Sequence, residues 1–435
     1  MRAVSKRLRA GAASLVLLGL AGTAVSLTPG SATAATSAKV GVGTPKSAYS
    51  THIGISSTQV KIANISTHFE TLFTGAAVGT QAYADYINSK GGVGGRKLVV
   101  TAQDTGYSGT KYAQMVQSDL SKDFALVGSF SVTATSGGQV LAKNPQMADV
   151  TVTSSTTNNK LPNFASPFPL QGGWQEGPLV YFKDKYPSGV KKVGVLLADE
   201  PAATQAWQGE KATMEHLGYK IIYQNTYAIT AKYNTFVADA VAMKSKGVQM
   251  LFIDQSPSAY AAPVIKAINS QNFHPKVVLG APTYSNTLIS TSGGAAATQG
   301  MYLEQDISLY LGQDAKAIPA VSTFLHWVQV AHPGWKPDLF TFYGWVSAEL
   351  FAEALKNAGH TPSRGSLLAA LGKITEFTGT GIQAPSNPSH KTVSNCYLLG
   401  QIKAGQWTRL TDPPVTSSTK GYRCTNSYYL PPSAG

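Results

Sequence analysis

A strand-then-helix rhythm runs through this chain, breaks at a passage rich in proline, glycine and aromatic residues (167–178), and starts again. In the first series VKIANIS (60–66), KLVVTAQD (97–104), ALVGSF (125–130) and ADVTVTS (148–154) read as strands by their β-branched and alternating residues. Helices fall between them. Phe73, Ala77, Ala84 and Ile87 share one face over 73–90, and Gly91-Gly92 stops that helix. Tyr112, Val116 and Leu120 form a stripe over 109–122, and a further helix occupies 133–143. In the second series, strands at 191–199, 219–227, 248–254 and 276–282 alternate with a helix ending at Leu217 and helices over 234–245 and 257–270. Parallel strands need a crossover, here a helix, so this alternation predicts parallel sheets with helices on both faces. The predicted fold class is α/β, with two doubly wound parallel-sheet lobes joined by a multi-strand hinge. Right-handed crossovers bring the loops after the strands to one edge of each sheet, where open α/β sheets bind ligands. The cleft between the lobes is the expected site.

Residues 300–308 (GMYLEQDIS) add a strand, and helices are predicted over 313–330, 341–358 and 363–372. The tail holds a β pair, NCYLLGQIKAGQWTRL, turning at Ala404-Gly405. Lobe 1 is assigned to 53–172 plus 304–375, lobe 2 to 173–303 plus 376–410, and a C-terminal tail to 411–435. Residues 36–52, rich in Ala, Ser, Thr and Gly, read as a flexible leader. Residues 1–35 carry Arg2, Lys6, Arg7 and Arg9 and no acid, then an apolar run from Gly11 to Leu27 and small residues up to Ala34-Ala35. That is the layout of a secretory signal cleaved near Ala34 or Ala35. A membrane anchor is the alternative, but the run is short and rich in Ala and Gly. No Cys follows it, so there is no lipobox. The expected location is secreted or extracytoplasmic, in a periplasm or cell envelope. Cys396 and Cys424 are the only cysteines. An even count in an exported chain favours one disulfide closing the tail, with two free thiols as the alternative.

Composition removes several function classes. The formal charge is +13, and +9 once the four basic residues of the signal are subtracted. The excess is spread along the chain with no Lys/Arg run interleaved with aromatics, which argues against nucleic acid. G-x-S-x-G, H-E-x-x-H, Walker A and C-x-x-C motifs are absent, and the eight histidines are scattered. No catalytic residue, metal or cofactor is expected, and the chain does not read as an enzyme. Asp104 and Asp254 lie at strand ends, where carboxylates mostly cap helices or bond the next loop. The positive signal is hydroxyl-rich sequence beyond three first-series strands: Ser66-Thr67-His68-Phe69, Ser129-Phe130-Ser131-Val132-Thr133 and Thr153-Ser154-Ser155-Thr156-Thr157. Hydroxyls and free backbone N–H groups at helix N-termini cradle oxyanions. Taken singly, each is more commonly a helix cap.

At these residues the chain resembles the type I solute-binding proteins of ABC transporters, in particular the branched-chain amino-acid (Leu/Ile/Val) and amide-binding family. VKIANIS, followed by GAAVGTQAYADYINSKGGVGGRKLVVTAQD, is similar to that family's first strand, first helix and second strand. VGSFSVTATSG is similar to its V-I-G-x-x-S-S loop, KKVGVLLADE to the opening of its second lobe, and GMYLEQDIS to its return to the first. The resemblance covers roughly 53–410 and implies the type I periplasmic-binding-protein fold. It implies ligand contacts at Ser66, Phe73, Ser131, Thr133, Ser155 and Thr156. Family members grip the ligand ammonium with an acid after the strand ending KVVLGAP, where this chain has Ala281-Pro282-Thr283-Tyr284. Unless Asp254 or Glu200 substitutes, an ammonium lacks its counter-ion there, so the expected solute is a carboxylate or amide that need not carry one, with Phe73 and Tyr284 as the apolar walls. The implied function is capture of a small amino-acid-like, amide or carboxylate solute by a monomer that docks on a membrane permease. A sensory module on the same fold and a secreted enzyme with an unrecognised site are the competing readings.

Overall fold

The computed structural model describes residues 46–68, 73–153, 155–169, 174–410, 412–425 and 428–429. The stretch predicted as a signal (1–35) and most of the predicted leader (36–52) lie outside the described residues.

The first sheet contains β1 (Gln59–Ser66), β2 (Lys97–Asp104), β3 (Ala125–Val127), β4 (Ala148–Val150) and β5 (Phe164–Ala165) in the order β2-β1-β3-β4-β5, all parallel. The strands alternate with helices α1 (Gly75–Ser89), α2 (Gly109–Asp119) and α3 (Ala134–Lys143). Strand position explains strand composition. Edge strand β2 is largely open to solvent, whereas β3 and β4 are buried on both faces; β3 is an apolar run, and β4 carries one buried acid, Asp149.

The second sheet follows β6 (Trp174–Gln175) and α4 (Gly177–Lys185). It holds β7 (Val193–Ala198), β8 (Ile221–Tyr227), β9 (Met250–Asp254), β10 (Lys276–Leu279), β11 (Tyr302–Gln305), β12 (Cys396–Lys403) and β13 (Gln406–Arg409), in the order β13-β12-β11-β10-β9-β7-β8. Strands β7 to β11 are parallel, and β12 and β13 close one edge as an antiparallel hairpin. Helices α5 (Pro201–His216), α6 (Tyr233–Ser245) and α7 (Ser258–Ser270) make the crossovers. Both sheets are α/β, and the second is mixed. Because β11 belongs wholly to the second sheet, a lobe division at 303/304 falls inside a strand.

The chain then returns to the first lobe through α8 (Pro319–Ala331), α9 (Leu339–Asn357) and α10 (Arg364–Leu371). The sequence pattern predicts one helix over 313–330; the structure breaks it at Ile318. Ile318 is extended (φ −116°, ψ 109°), and α8 starts afresh with Pro319 at its first position. Proline drives the residue before it out of the helical region. Helix α9 packs backbone to backbone on α1. A Cβ on Gly344 would lie 2.1 Å from the Ala76 carbonyl oxygen, and one on Gly79 would lie 1.8 Å from that of Thr341.

Three passes of chain between the lobes lie side by side. Gln383 Nε2 donates to the Pro167 carbonyl at 3.0 Å, Ala384 N to Asp306 O at 2.7 Å, and Ser308 N to Ile382 O at 2.9 Å. The tail is tied down twice. Cys396 on β12 faces Cys424 on β14 (Arg423–Cys424), and the two form a disulfide. Beyond it β15 (Tyr428–Tyr429) pairs with β6.

Candidate functional site

In both sheets strand order reverses beside the first strand of the series: β1 has β2 on one side and β3 on the other, and β7 has β8 and β9. Loops after such strands diverge and leave a crevice at the carboxyl edge. The crevices face each other across a cavity of about 180 Å³.

The first-lobe wall is aromatic. Phe73 precedes α1, Phe130 follows β3, Phe168 comes from the hinge, and Phe340 and Tyr343 come from the first turns of α9. Ring centroids lie 4.7 Å apart for Phe73–Phe340, 4.6 Å for Phe130–Phe340 and 5.3 Å for Phe168–Tyr343. Two local features hold this wall. Asp338 caps α9 by accepting from Thr341 N at 2.8 Å, and Thr341 Oγ1 accepts from Asp338 N at 3.3 Å, which fixes where Phe340 emerges. Phe73 sits at φ 66°, a left-handed conformation that costs a bulky residue energy and persists only where its surroundings impose it.

The second-lobe wall is polar and acidic. Glu200 follows β7, Asp254 ends β9, Glu304 lies on β11 and Asp306 leads into the hinge, with Ala203, Gly280, Ala281 and Pro282 between them. No Lys, Arg or His is among the described lining residues. Burial pushes the Asp306 carboxyl up to about 7. Burial, then the charge of Asp254, pushes Glu304 up to about 8. A hydrogen bond and an apolar contact bridge the lobes at the cleft: the Tyr107 hydroxyl, from the loop after β2, donates to Glu200, and Ile229, beyond β8, packs against the Phe73–Phe130–Phe340 cluster.

Of the residues singled out from sequence, Phe73, Glu200 and Asp254 line the cavity together. Among the described residues, the Ser66, Ser131, Thr133 and Ser155 hydroxyls do not line it. Ser66 Oγ donates to Asn64 Oδ1 at 2.6 Å and accepts from Phe130 N at 3.1 Å. Ser131 Oγ lies 2.9 Å from Thr67 Oγ1 and 3.0 Å from Thr133 Oγ1. Ser155 caps the short helix Thr156–Asn159 by accepting from Asn158 N at 3.3 Å, and the Thr156 side chain lies outside the described residues. These hydroxyls stitch the strand-end loops together behind Phe130. Tyr284 is fully buried, and its hydroxyl accepts from Leu311 N at 2.7 Å, away from the cleft. Sequence reasoning missed Phe130, Phe168, Phe340, Tyr343, Glu304 and Asp306 as cleft residues. The signal for Phe340 and Tyr343 was their i, i+3 spacing on a helix whose core face runs through Phe342 and Val346.

Two α/β lobes, a hinge of three chain passes and a ligand-sized cleft between them define the two-lobed fold class of solute-binding proteins. The sequence profile of the periplasmic binding protein family matches residues 61–406, and the chain belongs to that family. No curated protein sequence matches it. Solved structures share the fold at low identity. A leucine binding protein from Thermotoga maritima is 16% identical with a TM-score of 0.65, covering 81% of this chain and 98% of that one. A fatty acid ABC transporter substrate-binding protein from Thermomonospora curvata is 14% identical with a TM-score of 0.65, covering 87% and 94%. A solute binding protein of an ABC transporter from R. palustris, in complex with 4-hydroxybenzoate, is 15% identical with a TM-score of 0.62, covering 81% and 95%.

Proposed function

We propose that this protein is the extracytoplasmic solute receptor of an ABC importer, and that its ligand is a small organic molecule whose apolar body lies against the aromatic wall of the cleft. The observation that carries this reading is the wall itself: Phe73, Phe130, Phe168, Phe340 and Tyr343 gathered from four separate stretches of chain onto one side of an interlobe cavity. Such a surface removes a ring or alkyl body from water at about 25 cal/mol per Å² of apolar area. The opposite wall favours the ligand's polar end as a hydrogen-bond donor or neutral group. A free carboxylate there would meet Glu200 and Asp306 and no basic side chain among the described lining residues. This differs from the anionic end that the hydroxyl-rich loops suggest in sequence, because the Ser66, Ser131, Thr133 and Ser155 hydroxyls bond within the lobe. Family membership supports the receptor role, and the similar fatty acid ABC transporter substrate-binding protein and the relative in complex with 4-hydroxybenzoate are consistent with an apolar body. No helix among the described residues is long and apolar enough to cross a membrane. The working unit is read as an exported monomer that closes on its solute and docks on a permease.

Thermal-shift screening tests the reading with matched series of one ring or alkyl body bearing amide, alcohol, amine or carboxylate ends. A ligand at about 100 times its Kd adds roughly 2.7 kcal/mol. Amide, alcohol or amine members are expected to stabilise the protein more than the carboxylate. Stabilisation confined to small hydrophilic solutes without an apolar body would refute it.

A further inference from the structure

Three carboxylates converge in the second lobe beneath the cleft. Asp254 ends β9, Glu304 comes from β11, and Glu210 comes from α5 above them. Each offers an oxygen, and these oxygens all lie within 4.8 Å of one another. Strand β10 runs between β9 and β11, and the convergence depends on the residue that follows it, Gly280. A Cβ there would lie 2.4 Å from Asp254 Oδ1, while the Gly280 backbone is ordinary at φ −73°. Glycine at this place keeps space, not conformation.

The cluster has no counter-charge and unfilled acceptors. Glu210 is fully buried and Asp254 and Glu304 are 2% and 8% exposed. Both carboxylate oxygens of Glu210, Asp254 Oδ2 and Glu304 Oε2 have no hydrogen-bond partner among the described residues. Asp254 and Gln255 approach Glu210 without completing a hydrogen bond to it. Unpaired buried carboxylates cost several kcal/mol each unless a cation or a proton joins them.

We propose that Glu210, Asp254 and Glu304 form a binding site for a hard divalent cation, with calcium favoured over magnesium. Only oxygen ligands are present, as such ions require. Calcium accepts flexible carboxylate cages, whereas magnesium dehydrates reluctantly and keeps several waters, so three buried carboxylates favour calcium. A compact ion is favoured over the ammonium end of a cleft-bound solute because Glu210 does not line the cleft. A solute donor meets Asp254 and Glu304; a bare ion meets all three. The bound ion offsets the charge of this cluster and leaves Glu200 and Asp306 as the acids facing the solute.

The test uses the mature protein stripped with a chelator, with calcium and magnesium as probes in calorimetric titration and element analysis after dialysis. One calcium per chain is expected, with a thermal shift on addition. E210Q and E304Q, each near-isosteric, are expected to weaken calcium at least tenfold, and Gly280→Ala to weaken it while leaving all three carboxylates in place. Circular dichroism establishes that each variant is folded. Absence of calcium binding at millimolar concentration, or binding unchanged in E210Q, would overturn the site. Hexylammonium binding lost in E210Q, with no calcium binding, would also overturn it. Solute screening is run separately on the stripped protein, so failure of the ion site leaves the receptor reading standing.

Discussion

Replacing Tyr107 by Phe removes the hydroxyl that joins the two lobes across the cleft and little else. That hydroxyl donates to Glu200, and burial holds the Glu200 carboxyl above its ordinary range. A hydrogen bond to a charged group is worth roughly 1.5–3 kcal/mol. Tyr107 is 39% exposed, so water competes for its hydroxyl and the value is discounted to about 1 kcal/mol. Because the contact joins opposite lobes, its loss falls on the closed form alone. An energy of about 1 kcal/mol corresponds to about a fivefold shift towards open molecules. Where the closed form is the minor one without solute, apparent affinity falls by about the same factor. Single-molecule energy transfer between dyes on the two lobes measures the first quantity, and calorimetry with the best thermal-shift ligand measures the second. E200Q, which keeps an acceptor but removes the charge, is expected to fall between wild type and Tyr107→Phe. A closed fraction and affinity unchanged in both variants would refute the argument that this contact contributes to closure.

Two further perturbations probe stability. The Cys396–Cys424 bridge spans 28 residues, so the chain-entropy relation gives about 3–4 kcal/mol for its removal. C396S/C424S is expected to show that loss in urea unfolding, and a loss below about 1 kcal/mol would contradict it. Asp149 on β4 is 1% exposed, its Oδ1 has no hydrogen-bond partner among the described residues, and burial pushes its carboxyl up to about 7. The unfolded carboxyl titrates near about 3.9, so the folded state holds the extra proton between the two values. Stability from this residue is therefore full below about pH 4 and is lost as pH rises through about 7. The stability advantage of Asp149→Asn should grow from pH 4 to pH 8 in urea unfolding; a constant difference would contradict the assignment.

Much of the fold is legible in the sequence because its determinants are local. The stop of α1 before Gly91-Gly92, the apolar runs of β7 and β9 and the turn at Ala404-Gly405 all declare themselves within a few residues. The break at Ile318-Pro319 is equally local, but the apolar period runs across it and hides it. The lobe boundary is harder, since nothing in GMYLEQDIS itself says that β11 pairs with β10 and β12. The site is less legible still. The sequence places Ser66, Ser131 and Ser155 beyond strand ends, yet whether a loop side chain turns into the cleft or back under the sheet depends on partners such as Asn64, Thr67 and Asn158. Phe130 and Phe340 touch across more than two hundred positions, and Glu210 looks like any helical acid until α5 is laid over β9 and β11.

The central claim is that the aromatic wall holds the solute. Calorimetric titration of the best thermal-shift ligand, or of a solute that copurifies, against wild type, Phe130→Ala and Phe340→Ala tests it most directly. Aromatic contacts in buried sites are worth about 0.5–1.5 kcal/mol beyond the area they cover, and the area itself adds more. One solute per chain is expected, with affinity at least tenfold weaker in each variant while circular dichroism is unchanged. Equal affinity in wild type and both variants would place the solute elsewhere and contradict the account.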